Sequence, residues 1–222
     1  MEAVSVLHDP VRRALYRHVV AEGRDVSRNE AAAALGIQRS LAAFHLDKLA
    51  EAGLLDVAYR RLGERRGPGA GRPAKLYRRG SNEYHVSLPP RAYETAARLL
   101  AEAVEIAGAD QELQEVARER GRELGRAAEG TSEGHGQHGE RERLGEVLAQ
   151  RGYEPRREGD LLRLRNCPFH VLAGTFPPLV CGMNLALLEG LLEGLETKSL
   201  AARMDPRPGW CCVVLSSKNS DN

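Results

Sequence analysis

The chain has 222 residues, of which 42% are hydrophobic and 5% aromatic, and this composition favours two modest domains over one large core. The early apolar stretch is broken by Asp9 and Arg12, which argues against a signal peptide, and the glutamate-interrupted run from Leu185 to Leu195 is too short to span a bilayer. The formal net charge of +1 hides an asymmetry: residues 1–91 carry 16 Lys and Arg against 10 Asp and Glu, a balance of +6, whereas the remainder carries 16 against 21, a balance of −5. We therefore expect a cytoplasmic protein without membrane contact, whose N-terminal part alone has the charge to bind a polyanion.

Two helices are predicted near the start of the chain. Asp9 is a favourable N-cap and Pro10 a favourable first helical residue, and apolar residues then recur at every fourth position until Gly23. The second helix begins at Ser27, because Glu30 three residues later completes a capping box, and it ends before the glycine at position 36. Each helix therefore has a defined start and stop in the sequence.

A third helix follows almost at once. It is predicted from Arg39 to Ala52, with Ala42, Leu46 and Leu49 on its inward face, and Gly53 supplies a left-handed C-cap.

After this helix the apolar pattern changes to the alternation of a strand over residues 55–60. Residues 63–73 contain four glycines, two prolines and three arginines, and an extended pattern resumes at residues 75–78. The sequence therefore predicts a hairpin with a long basic tip.

The middle of the chain is predicted to be helical and then flexible. Residues 91–128 form one or two helices with a break at Gly108, and their small apolar residues suggest close helix packing between subunits. Residues 129–140 are rich in Gly, His, Ser and charged residues, which is typical of a flexible linker with solvated histidines.

The last part of the chain is predicted to be a small α+β domain. A short helix lies near residues 144–148, and two short strands are separated by residues 158–160. A leucine-rich helix runs through residues 185–195, with Asn184 expected on its solvated side, and a final strand surrounds residues 211–215.

The predicted fold class is therefore α+β: an N-terminal winged helix-turn-helix, long linking helices and a small C-terminal α+β sensor domain. The predicted boundaries are 1–88 for the DNA-binding domain, 89–128 for the helical linker and dimerisation region, 129–140 for the flexible linker and 141–222 for the cysteine-containing sensor domain.

The N-terminal elements occur in the order of a winged helix-turn-helix, in which the third helix enters the major groove of DNA. The outward residues of that helix are Gln38, Arg39, Ser40, Ala43, Phe44 and Lys48. At the hairpin tip, Arg65, Arg66 and Arg72 would add contacts to phosphates or the minor groove. A helical bundle with solvated charges is the alternative, but the ordered combination of capping box, turn, helix, strand and basic tip favours DNA binding.

Two segments of this part, RSLAAFHLDKLAEAGLL (39–55) and GRPAKLYR (71–78), resemble the ArsR-related winged-helix regulators, and especially their SufR-type branch. The resemblance implies a homodimer that binds a palindromic operator in double-stranded DNA, usually as a repressor.

All four cysteines lie in the last quarter of the chain, which in a reducing cytoplasm indicates a site rather than disulfides. Cys167 ends a predicted strand, and Cys181 follows a Pro pair near a helix N-terminus, where the dipole favours a thiolate. Cys211 and Cys212 lie on the last predicted strand, where neighbouring side chains face opposite sides, so we expect one of them to join the site. A fourth ligand could be His170, the other cysteine or an exogenous group, and four buried thiols without any ligand are the alternative.

The surrounding segments NCPFH (166–170), VCGMNLALLEGLLEGL (180–195) and PGWCCVVL (208–215) resemble the sensor module of SufR-like regulators. Those regulators hold an iron–sulfur cluster through cysteines in these segments, so the resemblance implies such a cluster here. The doubled cysteine at 211 and 212 departs from the family pattern. Zinc is the alternative cofactor, because thiolate and imidazole suit it as well.

Together these features predict a dimeric regulator, not an enzyme, in which cluster occupancy or oxidation state changes the spacing of two recognition helices. Two other classes of function stay open. The C-terminal domain could bind a small hydrophobic ligand in a pocket that the cysteines merely line. Alternatively, Cys181 could act as a nucleophile with His170 as its base, although the sequence has no oxyanion or substrate motif to support an enzyme.

Overall fold

The computed structural model describes residues 2–61, 73–84, 86, 89–128 and 137–218. The chain divides into two compact units, an N-terminal unit of residues 1–91 and a C-terminal unit of residues 92–222. In the described parts of the chain, no helix is both long enough and apolar enough to cross a membrane.

In its described residues, the N-terminal unit packs four helices on a small antiparallel sheet with strand order β1-β3-β2. Its elements in chain order are α1 (Glu2–Val6), α2 (Pro10–Glu22), β1 (Val26–Ser27), α3 (Arg28–Leu35), α4 (Arg39–Glu51), β2 (Leu55–Arg60) and β3 (Ala74–Arg79). The predicted hairpin is therefore present as β2 and β3, which pair from Leu55 with Arg79 to Arg60 with Ala74. The described residues do not include its basic tip, so Arg65, Arg66 and Arg72 lie outside them.

Local signals fix the helix ends in this unit. The Asp9 carboxylate accepts a hydrogen bond from the Arg12 backbone at 2.9 Å, and Ser27 and Glu30 form the predicted reciprocal capping box. Gly53 has a φ of +72°, in the left-handed region where a side chain would be strained. These residues confirm the predicted starts and stops of the first three long helices.

The core of the N-terminal unit lies between the helices and one face of the sheet. The inward residues predicted for α4, Ala42, Leu46 and Leu49, are fully buried, together with Leu15 of α2 and Tyr77 of β3. Strand β1 was not predicted, because its two residues have no pattern of their own and exist as a strand only through pairing with β3.

The part of the C-terminal unit that the structure describes combines five helices with a four-stranded antiparallel sheet of order β4-β5-β7-β6. Its elements are α5 (Tyr93–Ala107), α6 (Asp110–Ala127), α7 (Gln137–Gln150), β4 (Pro155–Glu158), β5 (Leu161–Leu164), α8 (His170–Ala173), α9 (Pro177–Gly194), β6 (Leu200–Met204) and β7 (Val213–Ser217). Helices α7 and α9 contribute apolar side chains such as Leu144 and Leu188 to a core that also contains Leu164 and Leu215 of the sheet.

Helices α6 and α9 make backbone-to-backbone contact through two pairs of glycines spaced four residues apart. A Cβ atom placed on Gly125 of α6 would lie 2.6 Å from the Leu191 carbonyl oxygen, and one on Gly190 of α9 would overlap the Arg118 carbonyl oxygen. The second glycine of each helix, Gly121 or Gly194, is equally enclosed. Close helix packing through small residues is therefore present within the chain, and the packing predicted between subunits stays a prediction.

Ion pairs border this glycine contact. Arg118 pairs with Glu189 and, at 3.2 Å, with Glu193. Arg122 donates to the same Glu193 carboxylate at 2.6 Å. The region predicted as a separate linker, residues 89–128, thus lies mainly in the C-terminal unit, with α6 fixed against α9.

Helix α5, unlike the closely packed α6, has no buried residue. Its large apolar side chains are mostly in contact with solvent, with Tyr93 75% and Ile106 81% exposed, and Leu99 and Leu100 exposed as well. This is a wide apolar surface for a helix that packs only lightly on the rest of its unit.

The prediction of a flexible linker over residues 129–140 is wrong for the last four of these residues, because α7 already begins at Gln137. Residues 129–136 lie outside the described residues. The charged run that follows favours helix, and the Glu140 carboxylate accepts a hydrogen bond from the Ser199 hydroxyl at 2.6 Å, which ties this end of α7 to the start of β6.

Candidate nucleic-acid interface and thiol cluster

The exposed face of α4 presents nearly every predicted DNA-binding residue that the structure describes. Gln38 is the N-cap and makes no side-chain capping bond, and Arg39 and Ser40 in the first turn are exposed. Phe44 is 55% exposed. Ala43 is only half-buried, and its small side chain leaves room for a close approach to the helix.

Lys48 is exposed at the far end of this face, but it is already paired with Glu51 at 2.7 Å. Pairs of this kind on a helix surface stabilise it by only about 0.3–0.5 kcal/mol. A phosphate could therefore replace Glu51 as the partner of Lys48 at little cost.

A polar network beneath α4 connects it to the hairpin and to α3. Asp47 accepts hydrogen bonds from the Tyr77 hydroxyl at 2.5 Å and from Lys75 at 2.7 Å, both on β3. Arg28, the first residue of α3, donates to Tyr77 at 3.0 Å and pairs with Asp47 at 3.3 Å. Sequence reasoning missed Asp47, although an acidic residue within a predicted recognition helix was the available signal.

The groups of this network stabilise one another's ionisation states. Burial opposes ionisation of Asp47, yet the hydrogen bonds from Lys75 and Tyr77 and the charges of Lys75 and Arg28 hold its pKa below the usual range. Burial and the hydrogen bond to Asp47 raise the pKa of Tyr77 to about 12. Asp47 therefore stays charged and Tyr77 neutral, and the orientation of α4 is fixed at neutral pH.

A polar cleft of about 470 Å³ lies beside this network. It is bordered by the start of α3, the start of α4 and the hairpin, and it is lined by Ser27, Arg28, Asn29, Arg39, Tyr59, Pro73, Ala74 and Lys75. Cationic groups next to helix N-termini favour anions such as phosphate. The exposed face of α4 and this cleft together form the candidate nucleic-acid interface.

The four cysteines of the C-terminal unit come from three separate segments. Cys167 lies between β5 and α8, and Cys181 lies in the second turn of α9. Cys211 and Cys212 lie in a bend immediately before β7, not on the strand. The expected strand therefore begins only after both cysteines, so the alternation that was expected to send one of them to the site does not apply to this pair.

The side chains of all four residues lie close enough to interact electrostatically. Cys167 interacts with Cys211, Cys211 with its neighbour Cys212, and Cys212 with Cys181. We call this group the thiol cluster. The four cysteines are all free of disulfides, and Cys211 is the most deeply buried, with 3% of its surface exposed.

The four thiols differ in how well their surroundings stabilise a negative charge. Donation from Cys167, from Cys212 and from Asn184 lowers the pKa of Cys211 well below its usual range. The hydrogen bond to Cys211 and burial raise the pKa of both Cys167 and Cys212. Cys211 is therefore the sulfur on which negative charge is best stabilised.

The thiol cluster has the donor chemistry of a metal site but lacks the arrangement of an occupied one. As the side chains stand, no group of three or more His, Cys, Asp or Glu residues in the described ranges could hold a metal ion. Four thiols from three segments nevertheless form the donor set that iron–sulfur clusters and zinc prefer. Binding would require the sulfur atoms to move to positions around a common centre.

His170, the predicted additional ligand, begins the short helix α8 three residues after Cys167 and is exposed. Both Cys211 and Cys212 belong to the thiol cluster, so the sulfur atoms already number four without it.

Asn184 was predicted on the solvated side of its helix, and this is wrong: it is fully buried, with no exposed surface. Its side-chain amide donates to the Cys211 sulfur at 3.3 Å and accepts from the Tyr153 hydroxyl at 2.5 Å. The spacing of three residues from Cys181 places both side chains on one face of α9, and this was the available signal.

Backbone hydrogen bonds hold the bend that carries Cys211 and Cys212. The Cys211 amide donates to Leu164 of β5, and the Cys212 carbonyl accepts from the amide of Asp205, both at 2.8 Å. Arg163 of β5, only 2% exposed, pairs with Asp205 and donates to Glu158 at 2.6 Å. The bend is therefore held on one side by the inner strand β5 and on the other by the residue that follows the edge strand β6.

A cavity of about 320 Å³ lies elsewhere in the C-terminal unit, between α7 and the sheet. Its lining comprises Arg141, Glu142, Gly145, Pro155, Arg157, Asp160, Leu161, Leu162, Leu200 and Leu215. A Cβ atom on Gly145 would meet nothing within 4 Å, so the missing side chain leaves space there. The predicted alternative of a small-molecule site lined by cysteines is not what this cavity shows, because its lining contains no cysteine.

Comparison with known proteins supports the reading of the N-terminal unit. Residues 6–58 match the family model described as a helix-turn-helix domain, a span that runs from the end of α1 into β2 and includes α4. A search of curated proteins gives no significant match. The N-terminal part thus contains a helix-turn-helix domain, the kind of domain with which many transcription regulators bind DNA.

Proposed function

We propose that this protein is a homodimeric winged-helix transcription repressor of the SufR-like branch, controlled by an iron–sulfur cluster that its C-terminal cysteines bind. The observation that carries the proposal is the presence, in one chain, of a helix-turn-helix domain and a cluster of four thiols. An operator-binding protein has no evident use for buried, clustered thiols unless they take up a ligand or change oxidation state.

The DNA-binding part of the proposal is supported by the exposed face of α4. Arg39 and Gln38 at the N-terminal end of the helix can contact phosphates and base edges, and Phe44 can contact thymine methyl groups. The hairpin β2–β3 would act as the wing. The network around Asp47 orients α4 before DNA arrives, which lowers the conformational cost of binding.

The proposed occupant of the exposed apolar face of α5 is a second copy of this chain. A dimer with two-fold symmetry presents two recognition helices to half-sites about 34 Å apart, which is one turn of DNA, and a palindromic operator has that symmetry. The aromatic and aliphatic side chains at Tyr93, Leu99, Leu100 and Ile106 would be buried in such a dimer.

The proposed ligands of the cluster are Cys167, Cys181, Cys211 and Cys212. When bound, an iron–sulfur cluster supplies a centre that gains and loses one electron and is degraded by oxidants. The residues of the chain supply the remaining steps. Drawing Cys181 toward Cys212 requires α9 to move, and the interlocked glycines require α6 to move with it.

This helix pair is the proposed route from sensor to DNA. Helix α6 follows directly after α5, the proposed dimer helix, and only Gly108 and Ala109 separate the two. A displacement of a few ångströms at α6 would therefore change how two copies face each other across α5. Because operator half-sites are fixed in the DNA, a changed spacing of the recognition helices would weaken specific binding.

The proposal is tested by anaerobic purification followed by absorption spectroscopy, iron and sulfide determination, and DNA binding. Operator sequences can be selected from random DNA with the purified protein. We expect a coloured protein containing iron and sulfide, and a Cys167→Ser/Cys212→Ser variant that loses both. We also expect the ratio of specific to nonspecific DNA affinity to differ at least tenfold between loaded and cluster-free protein.

The matched control is Ala186→Ser, which introduces a hydroxyl at another buried position of α9 without touching a thiol. It should keep the colour and the DNA response. If the purified protein is colourless and contains zinc, the metal at these thiols is zinc and the proposed iron–sulfur cluster is wrong. An iron-free and zinc-free protein whose DNA affinity ignores the cysteine substitutions would reject the proposal and leave the cavity beside Gly145 as the candidate sensor site.

A further inference from the structure

A buried hydrogen-bond relay leads from the sheet side of the C-terminal unit to the thiol cluster. The Tyr153 hydroxyl donates to the Asn184 side-chain oxygen at 2.5 Å, and the Asn184 side-chain nitrogen donates to the Cys211 sulfur at 3.3 Å. Tyr153 is 3% exposed and Asn184 is fully enclosed. No solvent therefore needs to take part in either bond.

Burying the Asn184 side-chain amide at this position would cost free energy if it had no hydrogen-bond partner. Helix α9 is apolar around most of its circumference in this region, with Val180, Ala186, Leu188 and Leu191 buried. An amide placed among such residues loses several hydrogen bonds to water, so its remaining partners must compensate. The partners that it has are one phenol and one sulfur atom.

Tyr153 also fixes the direction of the amide. A phenol O–H that donates to the carboxamide oxygen leaves the NH₂ group to point the other way, toward Cys211. Because burial and the nearby thiols raise the pKa of Tyr153, its hydroxyl keeps the proton that makes it a donor. The relay therefore has one direction, from phenol to amide to sulfur.

We propose that Asn184, oriented by Tyr153, is the outer hydrogen-bond donor that stabilises negative charge on the Cys211 sulfur and thereby sets the reduction potential and metal affinity of the thiol site. This inference rests on the proposed function for the identity of the cofactor. It assigns Asn184 a positioning and tuning role, since it acts on the site through a ligand sulfur.

The direction of the effect follows from electrostatics. A hydrogen bond to sulfur strengthens as the sulfur becomes more negative, and sulfur is most negative when the bound centre is reduced. Asn184 thus favours the reduced state, and its loss favours the oxidised state. In regulatory terms, the relay would make the loaded protein slower to lose its electron.

The test compares wild type with Asn184→Leu, which has a similar volume and no donor. At a fixed applied potential, we expect the ratio of oxidised to reduced centre to rise about tenfold, equivalent to a fall in potential of about 59 mV for a one-electron couple. Tyr153→Phe should shift the potential in the same direction by less, because the amide is then only loosely oriented.

A second readout uses Co²⁺ added to cofactor-free protein, followed by the charge-transfer absorption of its bonds to sulfur. Outer partners of metal ligands typically contribute about 10–100-fold to affinity, so we expect Asn184→Leu to bind Co²⁺ at least tenfold more weakly. If the single variant folds poorly because the Tyr153 hydroxyl is left unpaired, Asn184→Leu/Tyr153→Phe removes both polar groups and keeps the comparison.

The control for a merely structural effect is Leu188→Ala, one turn further along α9 and also buried. It should lower stability and leave both the potential and the Co²⁺ affinity unchanged. Equal shifts in Leu188→Ala and Asn184→Leu, or no shift in either readout for Asn184→Leu, would overturn the inference.

The two proposals fail separately. A protein that takes up no iron–sulfur cluster, but whose Co²⁺ affinity depends on Asn184, would contradict the proposed cofactor and keep the relay. A protein that takes up the cluster, but whose reduction potential is the same in wild type and Asn184→Leu, would keep the proposed cofactor and contradict the relay. A protein that binds neither would contradict both.

Discussion

The two units of this chain present their functional side chains in contrasting ways. In the N-terminal unit, the candidate recognition residues lie on one 13-residue helix and its N-cap, beside the polar cleft, and most of them are exposed and make few contacts within the protein. In the C-terminal unit, the candidate ligands come from three distant segments and are buried or half-buried within the core. Function and stability should therefore be separable in the first unit and closely linked in the second.

The strongest test of this contrast is Gly190→Leu. A side chain at this position overlaps the Arg118 carbonyl, so α9 must separate from α6. We expect the free energy of unfolding of the C-terminal unit to fall by about 3 kcal/mol, together with loss of the metal or cluster site. Urea unfolding followed by fluorescence measures this directly, because the single tryptophan, Trp210, lies next to the thiol cluster in sequence.

Gly145→Ala is the matched control, since this glycine also lies within a helix but has open space around it. It should raise stability by up to about 1 kcal/mol, because alanine favours helix over glycine. If Gly190→Leu were as stable as wild type, the α6–α9 contact would not connect the sensor to the dimer helix.

The second test, of intermediate size, concerns Arg39. Replacing it with alanine should weaken operator binding by about 1–3 kcal/mol, which is roughly tenfold or more, and change the free energy of unfolding by less than about 0.5 kcal/mol. Fluorescence anisotropy over a range of salt concentrations would also show whether Arg39 contacts a phosphate, in which case the salt dependence decreases by about one counterion.

Arg17→Ala is a control with the same loss of charge, because Arg17 is exposed on α2. It should have a much smaller effect on operator affinity. Equal losses from both variants would mean that general charge, and not the face of α4, determines DNA binding.

The smallest expected effect is a pH dependence at the start of α3. Hydrogen bonds from the Ser27 backbone and hydroxyl and from Arg24 lower the pKa of Glu30 from its ordinary value of 4.5 to about 2. A depressed carboxyl pKa stabilises the fold above the unfolded value, so this contribution is complete above pH 4.5 and is lost as the pH falls toward 2.

Glu30→Gln should therefore destabilise the N-terminal unit by roughly 0.5 kcal/mol at pH 7, a modest value because the carboxylate is partly exposed. The difference from wild type should vanish between pH 4.5 and 2. Urea unfolding followed through the amide NMR signals of α3 provides the measurement, and a difference that persists unchanged at pH 2 would contradict the assigned cause.

The contrast between the units also explains what could be predicted from the sequence. Asp9, Ser27, Glu30 and Gly53 act on their immediate neighbours, so they specify the helices of the N-terminal unit without knowledge of the rest of the chain. Strand β1 has no such signal, because it depends on pairing with β3 about fifty residues later. The Asp47 network was missed for the same reason.

In the C-terminal unit, the cysteines themselves were identifiable, but their arrangement was not. The expected strand begins only at Val213. The bend at residues 211–212 that precedes it brings both thiols into one group. Asn184 was misplaced because α9 is surrounded by core on most sides, and a helix buried almost all round has no polar face from which to read orientation. Only the tertiary fold assigns that amide to Cys211.

The late position of the bend at Cys211 and Cys212 has a consequence for biosynthesis. Domains generally fold in order as the ribosome releases them, and about 120 residues separate the end of the N-terminal unit from this bend, which corresponds to roughly 10 s of translation. The DNA-reading unit is thus complete before the last two thiols exist. If the proposed cluster binds here, every newly made molecule would at first be free of it, so fast protein synthesis combined with slow cluster delivery would raise the share of the unloaded form.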